Sequence, residues 1–263
     1  MSAVKIIVVN DLVKTFKDVR AVDGISFEVE SGKIFGFLGP NGAGKTTTIK
    51  MLTTTLAPTR GTILLDGNDP QKNPMAARRS FGIVFQDPSL DGEMTAYENM
   101  KLHAVLYSVP RGEQGERIEA ALKFVGLWDR KGSFAKTFSG GMKRRLEIAR
   151  ALLHTPRILF LDEPTLGLDP QTRNHIWEYI QTLAHERNMT VFFMTHYMDE
   201  ADRVADEIAI IDQGRIVTRG SPVSLKQNAN AATLEWPDPG KVDMTKLEFC
   251  CKEGAEHEKK QIQ

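Results

Sequence analysis

Apolar and polar positions change period several times along this chain, and each change marks a different kind of element. From residue 4 to about residue 38 they alternate, as in Ile25-Ser-Phe-Glu-Val-Glu30, which predicts antiparallel strands with one face in water. Val4-Lys-Ile-Ile-Val-Val9 reads as the first strand, and Lys33-Ile-Phe-Gly-Phe-Leu38 as a buried one. Thr62-Ile-Leu-Leu-Asp66, followed by Gly67-Asn68, adds a strand and a turn. From about Thr95 to His154 the spacing becomes helical (Leu102, Val105 and Leu106; Ile118, Ala121, Leu122 and Val125), with breaks at Pro110 and Gly126. That stretch predicts a helical insertion.

Beyond it, Arg157-Ile-Leu-Phe-Leu161 and Thr190-Val-Phe-Phe-Met-Thr195 are short apolar runs of the buried parallel type. Between them Ile176, Ile180, Leu183 and Ala184 form one helix face, with Asp169 as cap and Pro170 in the first turn. Ala209-Ile-Ile-Asp212, Gln213-Gly214 and Arg215-Ile-Val217 predict a hairpin. Past Ser221-Pro222 the periodicity is lost, and Glu256-His-Glu-Lys-Lys260 reads as a solvated tail. There is no internal repeat and no heptad pattern.

Composition narrows the class. At 263 residues the chain can bury a full core. Its 34 basic residues balance 34 acidic ones, so it lacks the basic footprint of a nucleic-acid binder. The two cysteines, Cys250 and Cys251, are adjacent and cannot staple a fold, which fits a reducing compartment. No apolar run approaches the roughly 18 to 20 residues needed to cross a bilayer. The opening apolar run is too short for a signal peptide. The expectation is a chain soluble by itself, whose membrane role comes through a partner.

One motif carries the chemistry furthest. Gly39-Pro40-Asn41-Gly42-Ala43-Gly44-Lys45-Thr46-Thr47 fits the phosphate-loop pattern G-x-x-x-x-G-K-[ST], between a predicted strand and a predicted helix, Thr46 to Leu52. Such a loop turns backbone N–H groups toward phosphate oxygens, and the helix start adds partial positive charge. Lys45 is placed to reach the β/γ-phosphates and the Thr46 hydroxyl to bind Mg²⁺. A nucleoside triphosphate is the implied ligand.

Three further features refine this. Ile158-Leu-Phe-Leu161 runs into Asp162-Glu163; Asp162 suits Mg²⁺ held through water, and Glu163 suits polarising an attacking water. Phe138-Ser139-Gly140-Gly141-Met142 precedes the helical run Lys143 to Leu153 and forms a second anion-binding helix start. Two such starts in one chain suggest one nucleotide held between two copies. His196 follows the strand Thr190–Thr195, and Gln86 ends Ile83-Val-Phe-Gln86; both occupy strand ends of the sort that converge on a ligand. Taken alone, Gln86 is equally well a polar strand terminus. Lys143-Arg144-Arg145 reads as a solvated face rather than a basic patch.

The ordered set resembles the nucleotide-binding subunit of an ATP-binding cassette (ABC) transporter over about residues 4 to 220. In that family's terms Gly39–Thr47 is the Walker A loop, Gln86 the Q-loop glutamine and Ser139–Met142 the signature. Ile158–Asp162 is then Walker B with Glu163 as catalytic base, Leu166–Asp169 the D-loop and His196 the switch histidine. Phe16 fits the aromatic that stacks on adenine, where tyrosine is commoner, and Phe138 replaces the usual signature leucine. The resemblance implies an α/β fold: a P-loop NTPase (RecA-like) core with an antiparallel β-subdomain and a helical subdomain inserted at about 87–155. The nucleotide-binding domain would span 1–220 and a short tail 221–263.

It further implies ATP and Mg²⁺ as cofactors, with Thr46, Gln86 and Asp162 around the metal. Phe16, Gly39–Thr47, Ser139, Gly140 and Gly141 would contact ATP, and Glu163, His196 and Gln86 would serve catalysis. Its partners would be an integral-membrane permease and a second nucleotide-binding subunit, at the cytoplasmic face of the membrane. Phe85–Asn99 and Thr195–Asp202 are most similar to the drug-exporter branch typified by daunorubicin-resistance ATPases, with sodium and nodulation-signal exporters sharing much of this wording. A soluble, non-transport ABC ATPase is the alternative; such proteins carry long coiled coils or two cassettes, and this chain has neither.

Overall fold

The computed structural model describes residues 4–231. Two long strands come first, β1 (Lys5–Phe16) and β2 (Val19–Glu30). They are followed by β3 (Ile34–Leu38), α1 (Lys45–Leu52) and β4 (Arg60–Leu65). β1 pairs antiparallel with both β2 and β4, giving a three-stranded sheet in the order β2-β1-β4. β1 is longer than the Val4–Val9 run that alternation picks out. Its register shifts between Val9 and Leu12, and Asp11 takes φ 45°. A bulge of this kind resets which face a side chain takes, so the pattern breaks while the strand continues.

β3 leaves that antiparallel set. It lies in a six-stranded sheet with β5 (Phe81–Val84), β6 (Ile158–Asp162), β7 (Thr190–Thr195), β8 (Glu207–Asp212) and β9 (Arg215–Gly220). The order is β5-β6-β7-β3-β8-β9, with all pairs parallel except the β8–β9 hairpin. β3, β6 and β7 are buried on both faces, so their sequences are continuous apolar runs rather than alternations. On one face Phe35, Phe37, Phe160 and Phe192 meet Phe27 from β2 and α1. Phe27 lies 5.7 to 5.9 Å, centroid to centroid, from Phe35, Phe37 and Phe192. Each such pair adds about 0.5–1.5 kcal/mol beyond the area it buries.

The opposite face packs Leu159, Leu161 and Phe193 against Ile176, Trp177 and Ile180 of α6 (Pro170–Arg187). α6 starts where Asp169 accepts the Thr172 N–H at 2.9 Å, with Pro170 in the first turn, as expected. A third core belongs to helices alone: α3 (Ala96–Leu106), α4 (Arg111–Phe124) and α5 (Gly140–Ala151) bury Met100, Ile118, Leu122 and Leu146. α5 serves two cores, because Leu146 and Ala149 join the helical cluster while Ile148 and Ala151 join the sheet cluster.

Three short helices have no counterpart in the periodicity. α2 (Pro74–Ser80) begins at an Asn73 side chain that accepts the Ala76 N–H, and α7 (Met198–Val204) follows β7. α8 (Pro222–Ala231) begins where the pattern was read as ending. There Ser221 accepts the Ser224 N–H at 3.2 Å and Pro222 fills the first turn, so the Ser-Pro pair is a helix start. Cys250, Cys251 and Glu256–Lys260 lie outside the described residues.

Gly82 fixes how closely α5 approaches the sheet: a Cβ on it would collide with the Ala151 carbonyl oxygen. Gly82→Ala should therefore lower stability by about 1–3 kcal/mol, the usual cost of overpacking. A urea titration would show this as a lower midpoint with an unchanged slope.

Candidate functional site

Four neighbouring parallel strands end at one level. Val84 sits beside Leu161, Asp162 beside Met194, and Leu38 beside Thr195. The residues that follow β3, β5, β6 and β7 therefore emerge at a common edge, where ligands of open parallel sheets bind. The sequence expectation that these ends converge holds for the Gly39–Thr47 loop, Asp162-Glu163 and His196. Gln86 is displaced: β5 stops at Val84, and Gln86 lies two residues beyond it in an exposed loop.

The loop after β3 is tightly built. Gly39 lies where a Cβ would strike the Ile211 carbonyl. Gly44, at φ 108°, caps α1 in a left-handed conformation that other residues avoid. Lys45 is buried, and its Nζ donates to the carbonyls of Gly39 at 2.5 Å and Pro40 at 3.1 Å. Burial lowers the Lys45 pKa, with the negative charges of Glu163 and Asp162 working in the opposite sense. Thr46 is exposed at the start of α1. Phe16 ends β1 with its ring half-exposed and Lys14 Nζ 5.1 Å from the ring centroid.

Asp162 and Glu163 are both only 7% exposed. Burial first, and Glu163 second, push the Asp162 pKa up from 3.8 to about 6, against the pull of Lys45 and Arg144. Glu163 has φ 49° and its N–H donates to the Met194 carbonyl at 2.9 Å. His196 Nδ1 lies 2.9 and 2.8 Å from the two Glu163 carboxylate oxygens. A base candidate thus has an imidazole holding it from the next strand.

Ser139, Gly140 and Gly141 form the start of α5, with the Ser139 hydroxyl accepting the Met142 N–H at 3.3 Å. They face elsewhere. Gly140 lies beside Leu168, and a Cβ on Gly141 would collide with Thr172. Ser139 and Gly141 line a small cavity of about 130 Å³ with Arg145, Thr172, His175 and Tyr179, and no residue of the Lys45 loop reaches it.

Periodicity and motif spacing missed a buried network behind the site. Glu200 of α7 accepts from Thr165 at 2.5 Å and Thr195 at 3.5 Å, with Arg173 Nε 3.4 Å away. Thr165 precedes Leu166–Asp169 and Thr195 precedes His196, so one carboxylate ties together two segments at the edge. The only available signal was a Glu four residues after His196, which reads as an ordinary helix residue. Arg144 contradicts its reading as part of a solvated face. It is 6% exposed, because its guanidinium is spent on backbone carbonyls of the Gln86 loop.

The donor set suits a magnesium ion. A hydroxyl (Thr46), an amide oxygen (Gln86) and a carboxylate (Asp162) are hard oxygen ligands, and Asp162 and Glu163 place two buried carboxyls together with Lys45 as nearby positive charge. Among the described residues no cluster of three or more His, Cys, Asp or Glu side chains forms an all-protein cage.

Comparison with known proteins agrees with the geometry. The ABC transporter family matches residues 22–166. The daunorubicin/doxorubicin resistance ATP-binding protein DrrA of Streptomyces peucetius is 42% identical over 223 residues, covering 85% of this chain and 67% of DrrA. The linearmycin resistance ATP-binding protein LnrL of Bacillus subtilis is 41% identical over 221 residues, covering 84% and 71%. Among solved structures, cbiO1 of Clostridium perfringens, part of the ABC transporter complex cbiONQ, aligns with TM-score 0.78 and 31% identity over 89% of this chain and 96% of that one. The ATP-binding cassette MJ0796, a dimer in a post-hydrolysis state bound to ADP and Pi, aligns with TM-score 0.73 and 26% identity over 82% and 98%.

The fold is thus a P-loop cassette. The chain belongs to the ABC transporter family, as an ATP-binding subunit that hydrolyses ATP, and its relatives include those of the drug-exporter branch.

The raised Asp162 pKa has a consequence for stability. The fold disfavours its ionised form, so stability falls as pH rises from about 4 through about 6. Asp162→Asn should stabilise the nucleotide-free protein at pH 7 by on the order of 1–3 kcal/mol. At pH 4 the gain should vanish. Chemical denaturation of both proteins at the two pH values checks the sign.

Proposed function

We propose that this chain powers a separate membrane permease by closing head-to-tail on a second cassette around ATP. The observation that carries this reading is the division of the site. Lys45, Asp162, Glu163 and His196 gather at one sheet edge, while the helix start at Ser139 lines a separate cavity that none of them reaches. Each half then needs another copy of the chain to complete a pocket. The dimeric cassette MJ0796 supports the arrangement.

In this reading residues 1–220 are the nucleotide-binding domain, with the helices at about 87–155 inserted as a subdomain and 221–263 as a tail. Phosphate oxygens replace the Gly39 and Pro40 carbonyls as acceptors for Lys45, and the Gly39–Thr47 amides surround them. Phe16 stacks on adenine. Thr46, Gln86 and Asp162 hold Mg²⁺, which supplies charge neutralisation and orientation of the phosphates. Glu163 draws a proton from the attacking water, and His196 orients Glu163 and the γ-phosphate. Ser139, Gly140 and Gly141 complete the partner's pocket. Phosphoryl transfer asks mainly for this positioning and charge balance.

The permease side has a candidate surface. Glu93, Met94, Glu98, Lys101, Leu102 and Val105 line a groove along α3, and Leu102, Val105 and Leu106 expose their side chains toward its end. An apolar stripe rimmed by charges suits an amphipathic helix of a membrane protein. Among the described residues no helix is long and apolar enough to cross a membrane; in this reading attachment to the cytoplasmic face comes through that partner. Resemblance to DrrA and LnrL favours export of a drug or other small amphipathic molecule. Recovery of a multi-span membrane protein with the tagged chain, and ATPase activity raised by it, tests the coupling.

Glu163→Gln should retain ATP binding, slow hydrolysis by about 10²-fold or more and become dimeric on adding ATP. Lys45→Ala should lose nucleotide affinity. Near-normal turnover of the first variant would remove Glu163 from its role, and analytical ultracentrifugation with ATP reads the dimer directly.

A further inference from the structure

α5 carries three charged residues at intervals of three, and all three reach the same loop. Arg144 donates from Nη1 to the Phe85 carbonyl at 2.6 Å and from Nη2 to the Gln86 carbonyl at 3.0 Å. Glu147, 1% exposed, accepts the Ser89 N–H at 2.8 Å and lies 3.4 Å from Arg144. Arg150 donates to the Ser89 carbonyl at 2.8 Å and to the Ser89 hydroxyl. Both ends of the segment Phe85–Ser89 are therefore tied to one helix.

The same helix presses its far end on the strand that feeds this loop, where Gly82 leaves room for the Ala151 carbonyl. Strand β5, the loop and α5 form one mechanical unit. Its other end is Ser139, less than two turns from Arg144. At the helix start itself, a Cβ on Gly140 would touch Leu168 and one on Gly141 would collide with Thr172. Burying a guanidinium is costly unless its hydrogen bonds are made. The bidentate grip on two successive carbonyls is what makes the position of Arg144 tenable, and it is geometrically strict in a way that one ammonium cannot reproduce.

We infer that Arg144 is a positioning residue that makes the Gln86 loop and the Ser139 helix start move together. Through it, nucleotide engaged by Gln86 on this chain sets the half-pocket that Ser139 offers to the partner's nucleotide. The inference rests on the shared-seam reading above. It separates two properties that a residue of purely structural importance would not separate: binding of ATP to one chain, and closure of two chains.

The test uses the full chain carrying Glu163→Gln, with Arg144→Met added. ATP affinity is measured by fluorescence titration at nanomolar protein, where the chain is monomeric. The ATP concentration giving half-maximal dimer is measured by analytical ultracentrifugation. Affinity should stay within about twofold of the parent while the dimerisation midpoint rises at least tenfold. Arg144→Met leaves Glu147 short of a partner, so the double change Arg144→Met with Glu147→Leu removes the buried pair together and should show the same rise. Arg144→Lys, able to reach one carbonyl, should raise the midpoint about threefold, and it decides the matter if both methionine variants fail to fold.

Variants that dimerise at the parent's ATP concentration would overturn the role of Arg144. So would an affinity and a midpoint that shift in parallel. If the Glu163→Gln parent itself stays monomeric at saturating ATP, the seam reading fails, and this inference goes with it.

Discussion

Two adjacent carboxylates buried at the end of a strand set the constraint around which this molecule is arranged. Asp162 ends β6 and Glu163 follows it, and that strand is packed on both faces. Left alone, such a pair would take up a proton. Positive and donor groups answer from different elements: Lys45 from α1 and His196 after β7. Each is placed by its own packing, so the site is assembled by the sheet and its helices together and not by any single loop. The Asp162 pKa remains raised, first by burial and then by Glu163.

Helix α5 is where the separate cores become one body. Its Leu146 and Ala149 face the helical cluster while Ile148 and Ala151 face the sheet. A helix held on two sides cannot shift without moving both. Its N-terminus carries Ser139 and its middle holds the Gln86 loop, so any rotation of the helical cluster is transmitted to both halves of the proposed pocket. The Glu200 network does the corresponding task on the other flank, joining the segment after Glu163 to the segment before His196.

The edge residues were legible in the sequence because each follows a short apolar run, and a buried parallel strand writes itself plainly. Asp162-Glu163 and His196 stand out that way, and the phosphate loop by its own glycine and lysine spacing as well. The failures share a different cause. A bulge at Asp11 made a twelve-residue strand look like six. Ser221-Pro222 carries the same residues whether a chain turns or starts a helix. Arg144 looked solvent-facing because two of its partners are main-chain carbonyls, which leave no mark on side-chain identity. Charged residues at helical spacing state that a face is polar; they do not state whether water or a loop lies opposite.

Glu163 shows how the backbone contributes at the same place. Its φ of 49° lies in the left-handed region, which costs a non-glycine residue roughly 1–2 kcal/mol. The conformation breaks the strand's alternation immediately after Asp162, so Glu163 does not take the opposite sheet face that a further extended residue would occupy. Asp162 stays on the strand line near Lys45 and Arg144, and Glu163 turns to His196. The Glu163 N–H bond to the Met194 carbonyl and the His196 contact offset the strain. A relaxed, extended Glu163 would return to the face its alternation dictates and lose the imidazole. The unfavourable backbone angle is therefore what keeps Glu163 beside Asp162 and against His196 at the sheet edge, instead of on the opposite face that an extended strand would give it.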